Sequence, residues 1–340
     1  MMGIIMSIAV VFDISEKIDD FIAKGPTLKQ IAFDYYVNFV LHFANLFSSL
    51  LIFLSVIFFT AKMAHNTEIV AILSSGVSFK RMLRPYFIGA TILASISFCM
   101  NHWVIPHANK TRLDFENTYI RNKVYYSDKD THKLIGDGQS VYFYQFRNLK
   151  GRGYKFTWEH WENNTLTDKF YASSIDWDST TGSWKLKNYV WRHIDSLEET
   201  LVTGDILDTT FNLHPSDFTQ RLENVQAMDK DELDQFIAEE TAEGSTYVPF
   251  HQIEKHQRSS YPFSTYILVL MGVSIASRKV RGGIGLHIAS GIAICAAYIL
   301  CMKASSVFAT NSGLDPLVAV WIPNIIFSLG ALYLFNRAPK

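Results

Sequence analysis

Residues 37–61 read VNFVLHFANLFSSLLIFLSVIFFTA, and His42 is the only readily titratable side chain among them. A helix needs about 20 mostly apolar residues to cross the hydrocarbon core of a bilayer. This stretch is long enough, and it carries no Lys, Arg, Asp or Glu to be taken out of water. Four more stretches read the same way: Tyr86–Pro106, Pro262–Ser277, Ile284–Met302 and Pro316–Phe335. Pro262–Ser277 is the short one and can draw on Ser259–Tyr261. At the amino end Met2–Phe12 is apolar but stops at Asp13, too short to cross. It has no basic leader and no small-x-small cleavage site, which argues against a signal peptide. We therefore expect about six transmembrane helices, the first one truncated or begun from a start codon placed late.

The middle of the chain is different. The 340 residues are 49 % hydrophobic and 19 % charged, ordinary values that conceal an uneven distribution. From Lys110 to Arg258 there are 25 acids against 18 bases, whereas the remainder holds 7 acids and 13 bases. An acidic, water-soluble insert between two apolar ends is the natural reading, and its lack of a basic stripe argues against nucleic acid as a partner. Five of the seven tryptophans lie in it. Ser140–Phe146 (SVYFYQF) alternates polar and aromatic residues with the period of a half-buried strand, and Lys155–Trp161 and Trp184–Arg192 behave similarly. Asn163-Asn164 and Asp178–Ser183 (DSTTGS) are turn signals between them, and Trp177 and Trp184 bracket a hairpin. Short strands at this spacing predict a sandwich or jellyroll. Asp229–Glu232 has the pattern of a capping box that opens a helix through Ala242, with Leu233, Phe236 and Ile237 on one face and Gly244 ending it. Asn163-Asn164-Thr165 matches a glycosylation sequon, a coincidence expected by chance.

Short loops set the orientation. Lys62, Lys80, Arg81 and Arg84 outnumber Glu68 in the loop 62–84; Arg278, Lys279 and Arg281 have no acid beside them; the tail carries Arg337 and Lys340. Lys and Arg near span ends mark the cytoplasmic side. Ser15–Asp34 and Thr310–Asp315 have no basic excess, so alternation places residues from about 107 to 258 outside.

Signs of catalysis are missing. There is no HExxH, GxSxG or Walker A lysine loop, and Gly282-Gly283-Ile284-Gly285 precedes a span without the strand and lysine of a phosphate cradle. Cys99, Cys295 and Cys301 all fall in apolar runs and read as small packing residues; His251 and His256 are not a convincing metal pair. We expect no enzyme, no metal and no cofactor. His42 and His287, inside spans, read as satisfied helix-packing residues.

The loop Asn66–Arg84 (NTEIVAILSSGVSFKRMLR) is more informative. Glu68, Ile69, Ile72 and Leu73 fit a short amphipathic helix along the membrane, Ser74-Ser75-Gly76 breaks it, and Ser78-Phe79-Lys80-Arg81 begins a second, basic helix. Charge bias explains the bases but not an acid-led apolar helix among them; a docking helix for a cytoplasmic partner explains both. The segment resembles the coupling helix of the lipopolysaccharide export permease family, of LptF/LptG type. Asp13–Gly25 (DISEKIDDFIAKG) resembles the exit of that family's first helix. Arg258-Ser259-Ser260-Tyr261-Pro262 resembles the start of the fourth, and Arg281-Gly282-Gly283-Ile284-Gly285 that of the fifth. The order of spans around a β domain is similar as well, and Lys17–Asp20 leans toward the LptG-like member.

The resemblance implies a fold: an α-helical membrane bundle with an inserted periplasmic all-β jellyroll-like domain. Residues 1–106 would hold spans one to three with a coupling helix at 66–75, 107–245 the β domain ending in a short helix, and 246–340 spans four to six. It implies a permease subunit in the bacterial inner membrane that works with a dimeric cytoplasmic ATPase, a sister permease and a periplasmic bridge protein to extract lipopolysaccharide. Glu68 would dock in the ATPase groove with Ile69, Ile72 and Leu73 beside it, and Arg81 and Arg84 on the following helix. The family places basic lipid-binding residues near the exit of the first helix. Lys17 and Lys24, with Lys303 at the end of the fifth span, would contact lipid phosphates or acidic sugars; snorkelling to the headgroups is the other reading, and Glu16, Asp19 and Asp20 dilute the charge near the first two. Two other functions stand beside this one: a membrane-anchored periplasmic ligand-binding module or sensor without energy coupling, and a permease of another ATP-driven family handling lipoproteins or peptides, which usually has fewer spans.

Overall fold

The computed structural model describes residues 2–120, 127–136, 138–147, 151–195, 198–215, 222–280 and 283–338. Arg281 and Gly282 of the expected fifth-span start, and Lys340 of the basic tail, lie outside the described residues. The chain divides into two compact units. One comprises Met1–Glu116, Gln226–Leu233 and Pro249–Lys340; the other comprises Asn117–Val225 and Asp234–Val248.

The first unit is helical. Its elements are α1 (Met2–Lys24), α2 (Val37–Leu46), α3 (Ser48–His65), α4 (Glu68–Ser74), α5 (Phe79–Cys99), α6 (Ile105–Phe115), α8 (Val248–Ala276), α9 (Gly283–Ser312) and α10 (Pro316–Arg337), with α7 (Lys230–Ala242) crossing from one unit to the other. Among the described residues, five helical stretches are long and apolar enough to cross a membrane: Ser48–His65, Phe79–Ile120, Val248–Ala276, Gly283–Ser312 and Pro316–Arg337. Residues 2–12 form no separate segment: α1 runs on through Asp13 to Lys24.

Three details differ from the spans read in the sequence. Val37–Ala61 is not one helix: Phe47, at φ −91° and ψ 0°, interrupts it in the sparsely allowed bridge region. Just past the break the Ser49 hydroxyl meets Thr265 Oγ1 at 3.1 Å. Pro106 does not end the third span, because a π-helical turn at Met100–Val104 lets the chain pass the proline and continue to Ile120. Pro262 is internal to α8 rather than at its start, as Pro323 is to α10, whereas Pro249 and Pro316 sit in the first turns of those helices. Composition marks where lipid begins, whereas a helix extends as far as its backbone bonds are satisfied.

Small residues let these helices close up. A Cβ on Gly291 of α9 would stand 2.6 Å from Ile57 Cδ1 of α3, and one on Gly272 of α8 would stand 3.0 Å from the Phe53 ring. Phe53 and Ile57 are thereby fully buried with Leu268, Met271, Cys295 and Ala331. Cys295 is the packing residue the sequence promised.

The second unit is a six-stranded antiparallel sheet whose strands pair in chain order: β1 (Ser127–Gly136), β2 (Gln139–Arg147), β3 (Arg152–Glu162), β4 (Thr165–Asp178), β5 (Ser183–Asp195) and β6 (Glu198–Thr209). The expected β domain is present, and its described strands form a sequential meander. Asn163 and Asn164 both have positive φ, 48° and 64°, and make the two-residue turn between β3 and β4. Trp177 pairs with Trp184 across the next hairpin, ring centroids 5.0 Å apart. One face buries Val141, Phe143, Phe156, Ala172, Ile175, Trp184 and Leu186. The alternation changes phase near Lys155, which has a φ of 50°, so Phe146 reaches the same core. Trp184 satisfies its buried N–H on the Leu213 carbonyl at 2.9 Å. The capping box closes α7 as read: Glu232 N–H donates to Asp229 Oδ1 at 2.9 Å, and Asp229 N–H donates to Glu232 Oε2 at 3.1 Å.

Candidate functional site

The loop that carries the sequence candidates is built around α4. The chain leaves α3 at His65 and reverses at Thr67, which has a left-handed φ of 63°. Glu68 is then the first residue of α4, where an acid complements the positive end of the helix dipole. Its carboxylate accepts from Asn66 Nδ2 at 3.0 Å and stays exposed. Eight residues on, Gly76 takes φ 87° and its N–H bonds the Leu73 carbonyl, ending the helix. Ser78 caps α5 with its hydroxyl toward Arg81 N–H at 3.4 Å. The Ser-Ser-Gly break and the second basic helix are therefore where the sequence places them.

Burial divides α4 differently from the sequence reading. Ile69 is 1 % exposed and packs in one core with Ala64, Phe79, Met82, Leu83, Val269 and Val273. Ile72 and Leu73 lean on the same core. These three side chains hold α4 to its own bundle. The exposed residues of α4 and its end are Glu68, Val70, Ala71, Ser74 and Ser75, with Val70 58 % exposed. Val70 was missed because an apolar run of Ile-Val-Ala-Ile-Leu does not say which members meet a core supplied in part by α8, some 200 residues later. Lys62, Lys80, Arg81 and Arg84 are all exposed, so the acid of α4 stands among surface bases.

The three lysines differ. Lys17 is half-buried: its Nζ is 2.7 Å from Asp13 Oδ1, bonds the Tyr35 hydroxyl and lies over the Tyr35 ring at 4.8 Å. Tyr36 also donates to Asp13, at 3.1 Å. Its charge is thus already compensated within the chain. Lys24 is partly buried in the last turn of α1. Lys303 is exposed on α9. His287 Nε2 donates to the Arg278 carbonyl at 3.0 Å, the satisfied packing role its position suggested.

Between α2–α3 and α5 the helical unit holds a cavity of about 820 Å³, lined almost wholly by apolar side chains such as Leu41, Leu51, Phe59 and Leu93. At one end Asn45 donates to Asn101 Oδ1 at 2.7 Å and accepts from Ser97 at 2.9 Å. A long apolar cleft with a few polar groups is the shape that amphiphile recognition requires. Among the described residues no group of three His, Cys, Asp or Glu could hold a metal ion.

A family model described as "Lipopolysaccharide export system permease LptF/LptG" matches residues 1–337. No curated protein matches the chain.

Proposed function

From a chain that belongs to the lipopolysaccharide export permease family LptF/LptG, we propose a transmembrane subunit that draws on a separate ATPase to extract lipopolysaccharide and pass it to a periplasmic bridge protein. Export permease and multi-pass inner-membrane protein follow from the family and from the five apolar helices. The energy coupling, the handover and the partners are the proposal: a cytoplasmic ATPase dimer, a sister permease and the bridge. So is the layout, in which residues 1–106 and 246–340 supply the spans, 66–75 the coupling helix and 107–245 the periplasmic domain.

One observation carries the coupling. Glu68 is presented to solvent on a helix whose other side is fixed by Ile69, Ile72 and Leu73 in the core that includes Val269 and Val273 of α8. A push on the exposed face is delivered to a spanning helix, because packed cores shift between arrangements rather than yielding continuously. Arg81 and Arg84 offer charges to the same partner. For the lipid, Lys303 is the exposed candidate and Lys24 a second, whereas Lys17 must first leave Asp13. The LptG-like assignment rests on Lys17–Asp20 alone.

Glu68→Ala and Glu68→Lys test the coupling. Both variants should insert and melt as the wild type does, lose co-purification of the ATPase and lose lipopolysaccharide transport. Normal ATPase binding and transport in both would overturn the coupling role. If the whole loop 66–78 proves dispensable while the β domain still binds lipid, the anchored binding module is the better reading.

A further inference from the structure

Two prolines interrupt the bundle at the same place. Pro323 of α10 has no N–H for the carbonyl four residues back, that of Ala319, and Ser305 of α9 donates to that oxygen instead, at 2.5 Å. Asn324, the next residue and only 2 % exposed, reaches across to α8 and donates to the Ser260 carbonyl at 3.2 Å, two residues before Pro262. Asn324 Oδ1 in turn accepts from the Tyr298 hydroxyl of α9 at 2.9 Å. On α8 the Tyr261 carbonyl takes the Ser264 hydroxyl at 2.6 Å and that of Ser49 of α3 at 3.4 Å. Backbone oxygens beside both prolines are thus served by side chains, Ser264 within α8 and Ser49, Ser305 and Asn324 from neighbouring helices, as the bilayer interior demands. The Ser260 hydroxyl, fully buried, has no partner among the described residues. A spare buried donor beside an internal proline fits a seam with a second arrangement to adopt.

What lies on either side of Pro262 gives the seam a use. The half of α8 that ends at Ala276 carries Val269 and Val273, which pack with Ile69 of α4. The half that begins at Val248 carries Arg258, whose guanidinium donates to the Met228 carbonyl at 2.9 Å, in the segment between β6 and α7. Helix kinks occur at prolines, and hinges are single positions that absorb the change in φ and ψ. We propose that Pro262 and Pro323 form one paired hinge, latched by Asn324 and Tyr298, at which α8 and α10 bend together when α4 is moved. The hinge rests on the coupling role of α4, and its test separates the two.

The test uses the full chain in its complex, with Cys99, Cys295 and Cys301 replaced by serine and nitroxide labels on Phe250→Cys and Arg278→Cys. The labels stand roughly 42 Å apart at 1.5 Å per residue. A second pair at Leu317→Cys and Tyr333→Cys reports on α10. We expect trapping with ATP and vanadate to shorten the α8 distance by roughly 1 Å, as a bend of 20–30° between arms of about 18 and 24 Å requires, and to shorten the α10 pair with it. Pro262→Ala with Pro323→Ala should abolish both shifts and transport while the ATPase still co-purifies. Tyr298→Phe and Asn324→Leu should broaden both distributions without nucleotide. Distances that ignore nucleotide in a complex that binds ATPase and transports lipid would overturn the hinge and leave the coupling role standing. If no ATPase co-purifies, the coupling role fails, and the latch variants decide the hinge: unbroadened distributions overturn it.

Discussion

Asp176 of β4 sits between two cations on neighbouring strands. Arg152 of β3 donates to it in bidentate fashion, one bond at 3.0 Å, and Lys187 of β5 approaches to 2.9 Å. Partial burial pushes its carboxyl pKa up, and the bonds from Arg152 and Lys187 outweigh that, so the net shift is downward. A depressed folded value means that the contribution to stability is complete above the ordinary carboxylate range and is lost as pH falls through the depressed value. Asp168 has the same sign: burial raises it, and bonds from His193 and Trp191 lower it further than that. We expect acidification below about pH 4 to loosen the sheet, read as a change in tryptophan emission, since Trp158, Trp161, Trp177, Trp184 and Trp191 all lie in it. Asp176→Asn should flatten that acid limb; an unchanged limb would assign acid sensitivity elsewhere. None of these pairings was legible beforehand, because strand alternation gives a face but not which of several acids will stand beside Arg152.

At the scale of one element, α4 was legible in outline. An acid, an apolar run and Ser-Ser-Gly mark a helix and its end through capping and glycine's freedom at positive φ. Its orientation was not legible, because seven residues make two turns and most of the core side comes from α5 and α8. The two faces should separate experimentally. Ile69→Ala removes a fully buried side chain and should cost about 2–5 kcal/mol, seen as a lower melting temperature and faster proteolysis of the 66–78 loop. Val70→Ala on the exposed face should stay within about 0.5 kcal/mol of the wild type and weaken only ATPase binding. Equal melting losses would show that the burial does not describe α4 in the membrane. Proline readings failed for a related reason: α8 carries Pro262 internally, with Ser49 and Asn324 of other helices bonding the carbonyls beside it, and those neighbours are distant in sequence.

For the whole molecule, hydropathy separated the apolar helices from the β unit. Five apolar stretches and an acidic, tryptophan-rich middle could be separated by composition alone, since lipid and water select residues so differently. Strand order in the β unit could not be read, because alternation is the same in a meander and a Greek key. The proposed sidedness has a direct check. On a background lacking its cysteines, Thr180→Cys in the β4–β5 turn should react with a membrane-impermeant maleimide in intact spheroplasts. Val70→Cys should react only after permeabilisation, and the reverse pattern would invert the topology. The core around Ile69 also has a history in time. Ala64 leaves the ribosome just before α4 and Phe79 and Met82 soon after it, but Val269 and Val273 follow only after the sheet has been synthesised. The sheet can zip up meanwhile, each strand pairing with the one just made. The seat of α4 is therefore finished last: under the proposed coupling role, a nascent or interrupted chain would offer the motor an unsteady grip and a completed one a firm grip, so that maturation and recruitment would be timed by the same few side chains.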